Sequence, residues 1–191
     1  QAEDIKFKLQ RANFQIGTTG TVALNTHDID YAKFNSFSNG AFASGDKIHG
    51  FSFNIINPGT GYSPTNGTVS RTLSGGIATG GTNATVDVTI SGGAITNVVV
   101  TNPGAKYVGN PTLTMTGGSN ANISVTLNSG FAHSYDSLYN VAKVYVETGN
   151  FTVNDRVGNG TSHAVIAELE DKVLNALGAN LAYMDHTPCQ L

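Results

Sequence analysis

Five histidines are the first candidates for chemistry: His27, His49, His133, His163 and His186. No two stand four residues apart, and neither an HExxH motif nor a Cys/His cluster occurs, so the ligand spacings of zinc sites are missing. His27 with Asp28 and Asp30 is the best local set of metal donors. Without an EF-hand frame these three read more simply as a solvated loop. The single cysteine, Cys189, can form no internal disulfide and reads as a tail thiol rather than a nucleophile. No Gly-x-Ser-x-Gly elbow is present. Glu147 and Asp155 could form a glycosidase-like carboxylate pair, but both stand beside turns, where water is their simpler partner. Gly75-Gly76 and Gly80-Gly81 lack the Lys-Ser/Thr of a phosphate loop. The expectation is therefore no catalytic, cofactor-binding or metal residue, and no enzyme.

Glycosylation sequons start at Asn66, Asn83, Asn122, Asn150 and Asn159, as chance alone provides in a chain rich in Asn and Thr. Tyr62, Tyr107 and Tyr135 could stack on sugars if exposed. Packing within a repeat is the simpler role for Tyr62 and Tyr107.

The elements that would position these residues are organised by one doubled stretch. The first copy reads FNIINPGTGYSPTNGTV (residues 53–69) and the second VVVTNPGAKYVGNPTLTM (residues 98–115). Asn57, Pro58, Gly59 and Tyr62 match Asn102, Pro103, Gly104 and Tyr107. A second phrase follows each: GTNATVDVTI (residues 81–90) and GSNANISVTL (residues 118–127), after a longer interval in the first copy. Fixed repeats set architecture before any other signal. Each unit reads as a β-branched strand stopped by Pro-Gly, where Pro fixes φ and Gly takes a positive φ. The Tyr is expected to cover the turn with its hydroxyl in water. Alternation then places Thr112, Thr114 and Thr116 on one face and Leu113 and Met115 on the other. Ser91-Gly92-Gly93 reads as a hairpin connection. The structural residues singled out are Pro58, Gly59, Gly61, Tyr62, Pro103, Gly104 and Tyr107.

Gly59-Thr60-Gly61-Tyr62-Ser63-Pro64, residues 92–98 (GGAITNV) and Pro103-Gly104-Ala105-Lys106-Tyr107 resemble the Gly-x-Gly-Tyr β-repeats of structural proteins of tailed bacteriophages. The likeness covers roughly residues 51–128, with Lys106 in place of the second Gly. It implies a virion β-module in a tail, fibre or capsid-decorating part; similar repeats occur in bacterial surface proteins.

Charged residues make up 12% of the 191, about half the usual share. With 23 glycines, the composition suits short strands and tight turns. The net charge of −3 shows no basic patch for nucleic acid. No apolar run reaches the roughly 18 residues that span a bilayer.

Before the repeats, residues 4–9 alternate as a strand, residues 21–24 read as a short strand, and residues 31–42 as loop with one short strand. After them, residues 138–147 (LYNVAKVYVE) are the strongest strand signal. Asn154-Asp155-Arg156-Val157 is similar to Gly45-Asp46-Lys47-Ile48, which hints that the flanks belong together. Residues 162–177 read as a helix: Val165, Ile166, Leu169, Val173, Leu174 and Leu177 fall at helical spacing, with Ser162 as cap and Gly178 as stop.

The expected fold is mainly β: a β-sandwich-like repeat lobe, residues 51–128, inserted in a small β-rich base, residues 1–50 plus 129–191, with one C-terminal helix. A single continuous sandwich with a terminal helix is the alternative. The expected function is that of a non-enzymatic virion subunit (decoration, neck, tail or fibre-associated) acting through assembly. Its partners would be other virion subunits, in a homo-oligomer or in many copies, without nucleic acid, membrane span or cofactor. A receptor- or carbohydrate-binding surface module, with a host-surface glycan as partner, is the alternative.

Overall fold

The computed structural model describes residues 28–171, and in them every regular element is a strand. In chain order these are β1 (Asp28–Ser38), β2 (Lys47–Thr60), β3 (Gly67–Thr72), β4 (Ile77–Thr82), β5 (Thr85–Ser91), β6 (Ala94–Asn102), β7 (Ala105–Tyr107), β8 (Ser119–Asp136), β9 (Val141–Thr148), β10 (Arg156–Gly158) and β11 (His163–Asp171). A closed antiparallel barrel runs β1-β11-β10-β2-β8-β9; β3-β5-β6 and β4-β7 form separate sheets. β2 and β8 are the long strands, paired from Lys47↔Phe131 to Thr60↔Ser119, and they run from the barrel into the sheets above it. Two apolar cores result. Ala32, Phe34, Phe42, Ile48, Val144, Phe151, Val157 and Ile166 fill the barrel. Phe51, Leu73, Val86, Val88, Ile90, Val125 and Leu127, with Tyr62 and Tyr107, fill the lobe. Each Val, Leu, Ile or Phe among them contributes about 1.5–3 kcal/mol by leaving water.

The barrel is itself a duplication, of β1–β2–β8 by β9–β10–β11. Lys47↔Phe131 and Ile48↔Gly130 are answered by Arg156↔Val165 and Val157↔Ala164. β8 meets β9 at Ala132↔Val144, skips a residue, and resumes at Ser134↔Lys143 and Tyr135↔Ala142. β11 meets β1 at Ile166↔Phe34, skips a residue, and resumes at Glu168↔Lys33 and Leu169↔Ala32. The turns before β2 and β10 agree atom for atom. Asp46 Oδ2 accepts from Ala43 N at 2.8 Å, and Asp155 Oδ2 accepts from Thr152 N at 2.8 Å. The preceding residues, Gly45 (φ +93°) and Asn154 (φ +74°), are both left-handed. By this correspondence His49↔Ser129 matches Gly158↔His163. The short turn of residues 159–162 therefore stands where the other half carries residues 50–128.

Two local expectations are corrected. His163–Asp171 is a strand, not the start of a helix; residues 172–177 lie outside the described residues. Ala164 and Ile166 face the barrel core, and after the bulge so does Leu169. The skipped residue turns a two-residue period into a three-residue step from Ile166 to Leu169, which imitates helical spacing. Residues 31–38, read as mostly loop, belong to β1. Its inward positions include Ala32, too small to mark an apolar alternation. The strand signals at residues 4–9 and 21–24 lie outside the described residues.

Candidate functional site

The repeat turns are two copies of one geometry. Gly59 N donates to Asn57 Oδ1 and Gly104 N to Asn102 Oδ1, each at 2.9 Å. Gly59 has φ +66° and Gly104 φ +70°. Asn therefore closes a small side-chain turn that hands the chain to a left-handed Gly. Pro-Gly does not end the first strand: β2 pairs on through Pro58↔Ala121 to Thr60↔Ser119. In the second copy the chain does break, between β6 and β7. Gly61 has φ +75°, and Lys106 holds the same left-handed conformation at φ +59° despite its side chain.

Each turn is seated on the strand of the other copy. A Cβ on Gly59 would lie 2.6 Å from Ser119 O and 2.8 Å from Ala121 N; one on Gly104 would meet Thr82 O and, at 2.7 Å, Ala84 N. The registers agree. Ile55↔Ile123, Asn57↔Asn122 and Thr60↔Ser119 are answered by Val100↔Val86, Asn102↔Thr85 and Ala105↔Thr82, with a bulge at the same step. The lobe is thus a pseudo-twofold pair whose halves exchange partners. In one half Ser91-Gly92-Gly93 closes the hairpin; in the other β2 and β8 run on into the barrel. The expectation of a wet tyrosine hydroxyl is corrected. Tyr62 and Tyr107 are buried, and Tyr107 Oη accepts from Ala84 N at 2.7 Å. Burial raises the pKa of Tyr107, and the bond from Ala84 opposes this.

The second turn also fastens the lobe to the barrel. His49 is buried, and its Nε2 lies 2.9 Å from the carbonyl oxygen of Pro103. Only a protonated Nε2 can donate there, which sets the tautomer. The ring packs on Phe51 and Tyr107, with centroids 5.9 and 5.4 Å away. Desolvation lowers its pKa, the Pro103 carbonyl raises it, and Lys47 lowers it further. Pro103 is fully buried, and Arg156 Nε donates to Val100 O at 3.2 Å. Sequence reasoning counts His49 among five histidines without ligand spacing and assigns it no role; its place two residues before the expected lobe of residues 51–128 is the available signal.

The remaining candidates serve the scaffold. Glu147 pairs with Lys47 at 2.9 Å. Asp155 is held by Thr152, and burial raises its pKa against the hydrogen bonds from Thr152. Glu168 pairs with Lys33 at 2.7 Å. Tyr135 Oη donates to Asn140 Oδ1 at 2.8 Å. Asn159 Oδ1 accepts from Thr161 N and Ser162 N, while its Nδ2 donates to Asp46. Asn66 Oδ1 accepts from Gly92 N. His27 and Cys189 lie outside the described residues. Among the described residues no three His, Cys, Asp or Glu side chains converge on a point. Three open grooves of about 360, 410 and 320 Å³ mark the surface: between the loop after Tyr107 and Glu147, between β2 and β6, and beside the outer half of β8. Comparison of the chain with protein-family models, with curated proteins and with solved structures found no match.

Proposed function

We propose that the chain is a non-enzymatic structural subunit of a tailed-bacteriophage particle, in a decoration, neck, tail or fibre-associated position, acting through subunit assembly. The observation that carries this reading is the doubled Asn-Pro-Gly…Tyr unit with its reciprocally seated turns. Such a lobe is held by backbone contacts and apolar packing, so it needs few charges and suits a module that projects or cements neighbours. The barrel would do the docking. Leu138 and Tyr139, in the turn between β8 and β9, are 78% and 64% exposed, and an interface core takes up side chains of this kind. A glycan-binding role would have to do without Tyr62 and Tyr107 as stacking surfaces, because both are buried. Mass spectrometry of purified particles, with a cryo-EM map, tests the reading. A fixed copy number and density for the barrel against neighbouring subunits is expected. Absence from particles, together with binding on a glycan array, would replace it with a receptor-binding module.

A further inference from the structure

The two halves of the lobe differ at one place. β5 carries a strand on each side, β3 and β6. Its counterpart, the outer half of β8, carries β2 on one side. Among the described residues no strand is laddered to its other side before Ser129, where β9 begins to pair. Residues 111–116 stand in the place of β3 in the sequence of the second half. Leu113 and Met115 pack on the lobe core. The segment is nevertheless bonded away from β8, by Ser74 N to Thr112 O at 2.9 Å and Thr112 N to Ser74 O at 2.8 Å. Ser74 belongs to the interval that is longer in the first copy, so the extra residues of one half hold this segment of the other.

A groove of about 320 Å³ is left beside β8, lined by Tyr62, Leu113, Met115, Ala121 and Ile123 among others, none of them charged. Burial records the difference. Ala84, just before β5, and Val86 on it are fully buried, whereas their counterparts Ala121 and Ile123 are half-buried. The backbone of β8 is turned to the open side at alternate residues. Leu127 N already donates that way, to Asn110 Oδ1 at 2.8 Å, and strand geometry then points the N–H groups of Val125 and Ile123 in the same direction.

We propose that this edge of β8 captures an extended strand from a partner protein, in the antiparallel place that β3 fills on β5. The filled half describes the occupant. β3 reads GTVSRT and pairs from Gly67↔Ile90 to Thr72↔Thr85. β3 turns Val69 and Arg71 inward and Thr68, Ser70 and Thr72 outward. The partner strand is likewise short with hydroxyls outward, but needs an uncharged residue in the Arg71 place, because the groove offers no charge. Main-chain bonds hold it, and the uncharged lining of the groove selects its inward side chains. A particle subunit and a free binding module could use such a slot alike.

The test is amide hydrogen exchange followed by ¹⁵N NMR on the full chain, with the peptide GTVSTTL, which is residues 67–73 (β3 and Leu73) with Thr in the place of Arg71. At millimolar peptide the Ile123 and Val125 amides should shift and exchange about tenfold more slowly, while those of Val86 and Val88 stay unchanged. The same peptide with proline in the Arg71 place, whose N–H would face β8 by the β3 register Arg71↔Val86, should do nothing. Four results would overturn the proposal. The peptide leaves Ile123 and Val125 unmoved. These amides are already as protected as Val86 and Val88, so that residues 111–116 close the slot. The peptide perturbs Val86 and Val88, so that it displaces β3 instead. Sedimentation shows a self-associated species that masks the edge, so that a second copy is the occupant.

Discussion

Gly59 lies against the backbone of Ser119 and Ala121, and Gly104 against that of Thr82 and Ala84, so each repeat's turn is seated on the strand that follows the other's. Both glycines are left-handed as well. A side chain at either would carry strain of about 1–3 kcal/mol and overpacking of similar size, about 1–3 kcal/mol. Gly59→Ala and Gly104→Ala should therefore lower stability by much more than Gly61→Ala, whose Cβ would meet open space. Urea melts of the three variants check the order; equal losses would remove the contact argument.

Lys106 departs from the Gly of the first copy yet keeps its conformation. An L-residue there costs roughly 1–2 kcal/mol. Lys106→Gly should therefore raise the melting temperature despite the added freedom of the unfolded chain. A lower melting temperature would mean that the Lys106 side chain, close to Gly80, contributes more than the strain costs.

His49 makes the junction acid-sensitive. Its folded pKa lies below the ordinary 6.5. Above pH 6.5 the ring is neutral folded or unfolded and adds no pH dependence. As pH falls below 6.5 the unfolded ring binds a proton first, so stability drops until the folded ring is protonated too, by at most about 1.4 kcal/mol per pH unit. Asp155 runs the other way. Its raised pKa makes the folded state hold a proton longer, and that contribution is lost as pH rises through the range above 3.8. His49→Gln keeps a donor for Pro103 O but cannot charge. Melts at pH 7.5 and pH 5 should show a smaller acid loss in His49→Gln than in the parent chain.

The sequence shows the repeats because Asn, Pro, Gly and Tyr each answer a local backbone demand, met twice. The acidic turns at Asp46 and Asp155 were legible for the same reason, and they mark the barrel's duplication. What could not be read is non-local. Nothing in FNIINPGTGY says that it docks on GSNANISVTL rather than on its own GTNATVDVTI. The bulge after Ile166 disguised a strand as a helix, because period alone carries no information about a skipped residue. Burial of the Tyr107 hydroxyl likewise depends on Ala84 N, a group supplied by the other copy.

Exposure at the tip of the β8–β9 turn leads to an assembly prediction. Leu138 and Tyr139 make little apolar contact within the chain, so Leu138→Asp and Tyr139→Asp should leave the melting temperature within about 1 °C, as surface changes usually do. If the barrel docks through this tip, the same variants should be depleted from particles in a competition with the parent chain. Normal incorporation would move the docking surface elsewhere.

The lobe should be removable by a graft that the chain itself supplies. His49 and Ser129 stand where Gly158 and His163 stand in the other half of the barrel, and there the strands are joined by Asn159-Gly160-Thr161-Ser162. No residue between 50 and 128 belongs to the barrel core. The closing turn is held in part by bonds within it, from Thr161 N and Ser162 N to Asn159 Oδ1 at 2.9 and 2.7 Å, and in part by Asp46 and Asn39. Replacing residues 50–128 with Asn-Gly-Thr-Ser exchanges a long insertion for this short turn, and closing entropy changes only logarithmically with length. The cost is local: His49, Gly158 and Arg156 lose Pro103 and Val100 as neighbours. The trimmed chain should therefore keep a β-type circular dichroism spectrum and melt cooperatively, at a lower temperature than the full chain. The graft should outperform a Gly/Ser linker of equal length, because only the graft restores the Asn159-type turn. Loss of cooperative melting in both would mean that the barrel depends on the lobe for its fold and that the two cores form one unit.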